Sequence, residues 1–234
     1  MSGAAQLTLD LGQRPALGRE DFLVAPGNEV AVAWIDRWPD WPGPVLALHG
    51  PAGCGKSHLA EVWRASSGAL RLEGEGLAAG EARDLLGAAT ACVLDHVEAR
   101  VCADAACAAR LLALYNIVVE RGGHMLLLGR TAPARWPVPL RDLRTRLGSV
   151  PAVELSAPDD ALIEALMIKL FADRQVRVGL EVVRFLLPRM ERSFEAARVL
   201  VAELDRAALA NRREVTVPLA RQVLAARAPG QPGG

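Results

Sequence analysis

Three short, almost unbroken apolar runs mark the first part of the chain: Val45-Leu46-Ala47-Leu48, Ala91-Cys92-Val93-Leu94 and Met125-Leu126-Leu127-Leu128. Apolar runs without alternation are the pattern of strands covered on both faces, as in a parallel sheet. Residues 57–65 and 103–121 between them carry helical patterning, which makes a βαβ layout with helices on both faces of the sheet. After Leu155 the pattern changes to helices alone. Ser156-Ala157-Pro158-Asp159 offers a cap, a first-turn proline and an acidic residue, and Leu162, Leu166 and Leu170 follow at helical spacing. A second helix is expected from about Leu180 to Pro188. A third should run over 193–210 with Ala197, Leu200, Val201, Leu204 and Ala208 on one stripe, and Thr216 and Pro218 open a fourth. The ends read as tails. Gly3, Gly12, Pro15 and Gly18 break the first, where only Gln6-Leu7-Thr8-Leu9-Asp10-Leu11 has a pattern, and 229–234 is rich in proline and glycine. The expected organisation is a tail over 1–19, an α/β domain over 20–155, a small helical domain over 156–228 and a tail over 229–234.

Composition narrows the function. A chain of 234 residues with 51% hydrophobic and 23% charged residues can bury a core and is globular. Its 27 basic and 27 acidic side chains cancel, so binding DNA through charge alone is disfavoured, because that mode relies on a basic excess that displaces counterions. The 4% of aromatic residues leaves few platforms for stacking bases. Cys54, Cys92, Cys102 and Cys107 form no CxxC pair and no zinc spacing, which points to reduced, mostly buried thiols in the cytoplasm. No basic head precedes an apolar leader, and no run approaches the roughly 20 apolar residues of a membrane helix, so a soluble protein is expected.

The chemistry begins at Gly50-Pro51-Ala52-Gly53-Cys54-Gly55-Lys56-Ser57, which matches the phosphate-loop pattern GxxxxGK(S/T) at every position. An apolar run precedes it and a helical segment follows it, which is the context the motif requires. Glycines let backbone N–H groups turn toward phosphates, the helix N-terminus adds positive potential, Lys56 can reach the β and γ phosphates, and Ser57 can ligate Mg2+. A partner carboxylate is needed for the ion, and the second apolar run delivers Asp95 at its end. Hydrolytic enzymes of this class usually place a second carboxylate next. Here His96 follows, and Glu98 is expected to point elsewhere, so intrinsic ATP hydrolysis should be weak or absent.

Together with Val93-Leu94-Asp95, the loop and its flanks His49, His58 and Leu59, and Asp142-Leu143-Arg144-Thr145-Arg146-Leu147, the chain resembles the AAA+ core of the family formed by the bacterial replication initiator DnaA and its shorter relative Hda. The likeness extends upstream to Phe22-Leu23-Val24-Ala25-Pro26-Gly27-Asn28, where that family makes part of its adenine pocket. Downstream it runs through Leu111-Leu112-Ala113-Leu114-Tyr115-Asn116 to near Leu224, covering roughly 20–224. The resemblance implies a P-loop AAA+ parallel sheet followed by a helical lid. It also implies ADP or ATP with Mg2+, held by Gly50 to Ser57, His58 and Asn28. The lid sensor arginine of the initiator falls at Glu195; Arg192 and Arg198 stand about one turn away on either side, either can supply the contact, and Arg198 is carried as the candidate ligand. Leu128 stands where a polar sensor is usual, and Arg130 or Thr131 can take that role.

Two further features of the resemblance concern partners. Gln6-Leu7-Thr8-Leu9-Asp10-Leu11 is similar to the QL(S/T)LxL peptide by which Hda docks on the replicative sliding clamp; a glutamine amide fits a small polar pocket while alternate leucines fill a groove. Taken alone, the six residues read equally well as an amphipathic strand. Arg146 stands where the family has an arginine finger that acts in trans on a neighbour's γ phosphate. Without the resemblance, Arg141, Arg144 and Arg146 would read as a solvated basic turn. No DNA-reading domain is expected after the lid, hence no direct sequence-specific DNA binding, and self-association is left open. The expected function is a cytoplasmic nucleotide-binding regulator that docks on DNA-loaded clamp and promotes hydrolysis of DnaA-bound ATP. The alternative is an autonomous ATPase of the DnaC or IstB helicase-loader type, which shares the core and needs no clamp peptide.

Overall fold

The computed structural model describes residues 23–211 and 213–227; the proposed clamp peptide, residues 6–11, lies outside the described residues. The three apolar runs are strands β1 (Val45–His49), β3 (Ala91–Asp95) and β4 (His124–Gly129). With β2 (Leu70–Glu73) and β5 (Ala152–Glu154) they form a five-stranded parallel sheet in the order β2-β3-β4-β1-β5. Side-chain alternation divides each central strand between two layers. Val45, Ala47, Cys92, Leu94, Met125 and Leu127 enter one core, shared with α3 (Ala82–Leu86), α4 (Glu98–Ala103), α5 (Ala105–Glu120) and α6 (Arg141–Gly148). Leu46, Leu48, Ala91, Val93, Leu126 and Leu128 enter the other, under α1 (Glu29–Asp36) and α2 (Lys56–Ser67). The unbroken apolar runs are thus strands with helices on both sides.

The lid consists of α7 (Asp160–Asp173), α8 (Leu180–Leu186), α9 (Phe194–Asn211) and α10 (Val217–Arg227), packed round a third core. The expected stripe of α9 is fully inward: Ala197, Leu200, Val201, Leu204 and Ala208 are all buried. Leu23, upstream of the sheet, also packs against this core.

Local details of the expected elements are refined. The helix expected over 103–121 is α5, and it begins two residues later than expected because Asp104 adopts an extended conformation (φ −129°, ψ 117°) and its carboxylate caps the helix by accepting from Ala106 N at 2.8 Å. The cap of α7 is Asp159 rather than Ser156; its carboxylate accepts from Leu162 N at 2.7 Å, and Pro158 lies before the helix. The buried stripe of α7 is Ile163, Leu166, Met167 and Phe171, while Leu162 and Leu170 are only partly covered. The basic stretch 141–146 is the helix α6, anchored by Leu143 and Leu147, not a turn.

Candidate functional site

The phosphate loop joins β1 to α2 at the carboxyl ends of the strands, where ligands bind in open parallel sheets. Gly50 (φ 148°) and Gly53 (φ 72°) take conformations that side chains rarely adopt, and each is pressed on by another segment. A Cβ on Gly50 would stand 2.1 Å from Leu155 O, and one on Gly53 would stand 2.2 Å from Ser193 Cβ. Gly55 (φ 100°) caps α2, with Leu59 N donating to its carbonyl at 3.0 Å. Lys56 Nζ donates to the Gly50 and Pro51 carbonyls at 2.8 and 2.7 Å.

Ser57 and Asp95 are brought together from α2 and the end of β3: Ser57 Oγ donates to Asp95 Oδ2 at 3.1 Å. Asp95 is buried, and its Oδ1 accepts from His96 N at 2.9 Å. A hydroxyl and a carboxylate converging beside a phosphate loop are hard oxygen donors of the kind Mg2+ prefers, so this pair fits the ion that accompanies a nucleotide triphosphate. When bound, such an ion neutralises phosphate charge.

Asn28, Cys54 and Phe194 line a cavity of about 190 Å³, closed by Ala25, Gly27, the 156–159 hinge and Leu162. Its walls mix apolar side chains with the polar Asn28, Ser156 and Asp159 and come from the sheet domain, the connection to the lid and the lid itself, a placement suited to a base held beside the phosphate loop. Asn28 shapes this cavity through its own backbone surroundings. Its Oδ1 accepts from Ala25 N and its Nδ2 donates to Leu23 O, both at 2.9 Å.

The two lid arginines differ. Arg192 is exposed and pairs with Asp160 at 2.6 Å, close to the hinge. Arg198 reaches back across the domains, with Nη2 2.7 Å from His58 Nδ1 in the first turn of α2. The structure therefore brings Arg198 and His58, but not Arg192, to the phosphate-loop helix. Glu98 opens α4 and accepts from Arg130 N and Thr131 Oγ1, both at 2.7 Å, so it is bound to the end of β4. His96 has a left-handed backbone (φ 55°) and a side chain 78% exposed. Arg146 lies on the exposed side of α6 with its guanidinium 5.0 Å from the centroid of the Tyr115 ring.

Sequence reasoning missed several partners of these residues. Ser193 and Phe194 seat the lid directly on the loop, with Phe194 N donating to Gly53 O at 3.2 Å. Arg71 on β2 pairs with Asp95 Oδ2 at 2.9 Å, Glu61 at 2.9 Å and Glu73 at 2.7 Å. Burial acts to lower the Arg71 pKa, but the hydrogen bonds it donates to Glu61 and Glu73 raise it overall; burial acts to raise Glu61, yet the hydrogen bonds donated by Arg64 and Arg71 hold it below its ordinary value. The four cysteines are free thiols, and burial pushes Cys92 up to about 12. The described residues include no helix long and apolar enough to cross a membrane.

Residues 159–224 match the model of the Hda lid domain. The match falls on the helical lid, from the start of α7 into α10. Solved structures share the fold of the chain. Domain III of the Thermotoga maritima replication initiation protein DnaA superposes with a TM-score of 0.75 at 17% identity, covering 91% of this chain and 97% of that one. AMPPCP-bound DnaA from Aquifex aeolicus gives 0.68 at 15% identity over 80% of this chain and 64% of that one. The Thermotoga maritima RuvB Holliday junction branch migration motor gives 0.64 at 13% identity, with 85% and 67% covered.

Proposed function

We propose that this DnaA-related AAA+ protein is a cytoplasmic adaptor that binds ADP or ATP, docks on the DNA-loaded sliding clamp through Gln6 to Leu11, and promotes hydrolysis of DnaA-bound ATP with Arg146. The observation that carries this reading is the pose of Arg146. Arg141, Arg144 and Arg146 on α6 are all exposed; Arg144 donates to the Val138 carbonyl at 3.3 Å, whereas Arg146 is stacked on Tyr115. Stacking limits the rotamers of a long side chain and holds its planar donors ready for a phosphate presented by another molecule. In its own nucleotide site Arg198, His58, Lys56 and Ser57 hold the phosphates, Phe194, Leu162 and the Asn28 loop enclose the base, and Ser57 with Asp95 serves Mg2+. His96 where a second carboxylate is usual, and Glu98 bound to β4, favour a site that retains nucleotide over one that turns it over.

Two variants separate the parts. Removal of residues 1–12 is expected to abolish co-elution with clamp while nucleotide binding persists, and continued co-elution would eliminate the peptide assignment. Arg146→Ala should keep clamp binding but stop stimulating ATP hydrolysis by DnaA; full stimulation would eliminate the finger. Robust DNA-stimulated hydrolysis by the isolated protein, lost in Asp95→Ala, would instead establish the helicase-loader alternative.

A further inference from the structure

Asp95 is the negative charge that the strand end offers to a nucleotide's divalent ion, and here it already pairs with a cation of the chain itself. Arg71 sits in β2, the edge strand hydrogen-bonded to β3, so a long side chain from β2 can reach the end of β3. All three guanidinium nitrogens are committed to carboxylates: Nε to Glu73 Oε1, Nη1 to Glu61 Oε1 and Nη2 to Asp95 Oδ2. The last of these oxygens is the one Ser57 contacts. Among the described residues, the group of side chains able to hold a metal ion is Glu73, Asp95 and His96, whose ligand atoms lie within 4.8 Å of one another, and Arg71 binds both of its carboxylates. Asp95 is buried, so its pairing is weakly screened by salt. Three carboxylates, Glu61, Glu73 and Asp95, are set against Arg64 and Arg71, leaving one excess negative charge; without Arg71 there would be two. A divalent ion approaching Asp95 therefore meets a partner already compensated and held by a planar three-way fork.

We propose that Arg71 is the resident cation of the nucleotide site, positioning Asp95 and making adenine-nucleotide affinity nearly independent of Mg2+. The inference rests on nucleotide binding at the phosphate loop and not on the clamp or DnaA. Arg71 acts through Asp95 and is a positioning residue. Its removal leaves Asp95 and Glu73 as uncompensated carboxylates that attract a divalent ion, so Mg2+ dependence should rise when Arg71 is replaced.

The test measures the dissociation constant of ADP and of ATP for the full chain by equilibrium titration, in millimolar Mg2+ and in EDTA. Wild-type affinity is expected to change by less than about threefold between the two, and Arg71→Gln to weaken about tenfold or more in EDTA relative to Mg2+. Arg71→Lys retains the charge and should resemble wild type. Thermal melts of each variant show whether it is folded, and the Lys variant carries the comparison if the Gln variant is not. A wild-type affinity that collapses in EDTA, or Gln and Lys variants that are equally Mg2+-dependent, overturns the inference while leaving nucleotide binding standing. Absence of binding in both buffers overturns nucleotide binding and the inference with it.

Discussion

Gly53→Ala tests whether the lid is seated by direct contact with the phosphate loop. A Cβ at this position would stand 2.2 Å from Ser193 Cβ and 3.2 Å from its Cα. Carbon atoms pack at about 3.5 Å or more, so Ser193 must retreat by about 1.3 Å. Ser193 is buried and accepts from Ala196 N at 3.1 Å at the start of α9, so the helix start retreats with it. That movement breaks the bond from Phe194 N to Gly53 O, a loss of about 1 kcal/mol. The left-handed backbone adds about 1–2 kcal/mol once a Cβ is present. A total of about 2–3 kcal/mol falls on the docked arrangement, and because Phe194 lines the cavity, ADP affinity measured by calorimetry should fall roughly 30- to 150-fold. Ser193→Gly removes the clashing atom and, as glycine is a tolerable cap, should cost only a few tenths of a kcal/mol alone. Combined with Gly53→Ala it should recover about fivefold in affinity, the part due to the lost hydrogen bond, leaving the backbone strain. An affinity within threefold of wild type in Gly53→Ala, or a loss that Ser193→Gly does not relieve, would refute lid seating as the cause.

Other expectations follow from the same geometry. Tyr115→Ala, which removes the ring under Arg146, should lower stimulation of DnaA by about two- to fivefold for a stacking energy near 0.5–1 kcal/mol, whereas Tyr115→Phe should preserve it in the same ATPase assay. Gln175 follows α7 with φ 58°, so Gln175→Gly should relieve about 1 kcal/mol and raise Tm by about 2–4 °C, and an unchanged or lower Tm counts against strain there. Glu61 has a folded-state pKa below its unfolded value, so its contribution is complete above the ordinary glutamate value of 4.5 and is lost as pH falls through the folded one. Melting scans from pH 6 downward should show a shallower acid loss in Glu61→Gln than in wild type; equal slopes would remove Glu61 from the pH response.

What was legible in the sequence depended on how local the cause was. The central strands β1, β3 and β4 showed as apolar runs because helices cover both of their faces. The edge strand β2 reads Leu70-Arg71-Leu72-Glu73, with half its side chains charged, and β5 has three residues, too few for any period. The start of α5 was read two residues early because aspartate is both a tolerable interior residue and a strong cap, and only the folded chain shows that Asp104 is the cap. The phosphate loop and Asp95 were readable as motifs, since their chemistry lies within a few residues. Arg71 was not, because its meaning depends on which strand lies beside β2. Nor were Ser193 against Gly53 or Arg198 against His58, contacts between residues about 140 apart.

The placement of these contacts also separates the two activities proposed for the chain. The lid meets the sheet domain at the phosphate loop and at α2, through Gly53, Ser193, Phe194, His58 and Arg198. Arg146 belongs to α6, whose Leu143 and Leu147 are buried in the opposite layer with α5 and the inward side chains of β3 and β4. Between them lies a sheet of close-packed strands, which resists small displacements on either side. A variant that unseats the lid should therefore change nucleotide affinity without changing the stacking of Arg146 on Tyr115. If nucleotide occupancy controls the action of Arg146 on a partner, that control must come from how the partner reads the lid and the finger together, and Gly53→Ala should lose partner affinity while keeping the maximal stimulation reached at saturating protein. A fall in that maximum would instead show that the loop and α6 are coupled through the sheet.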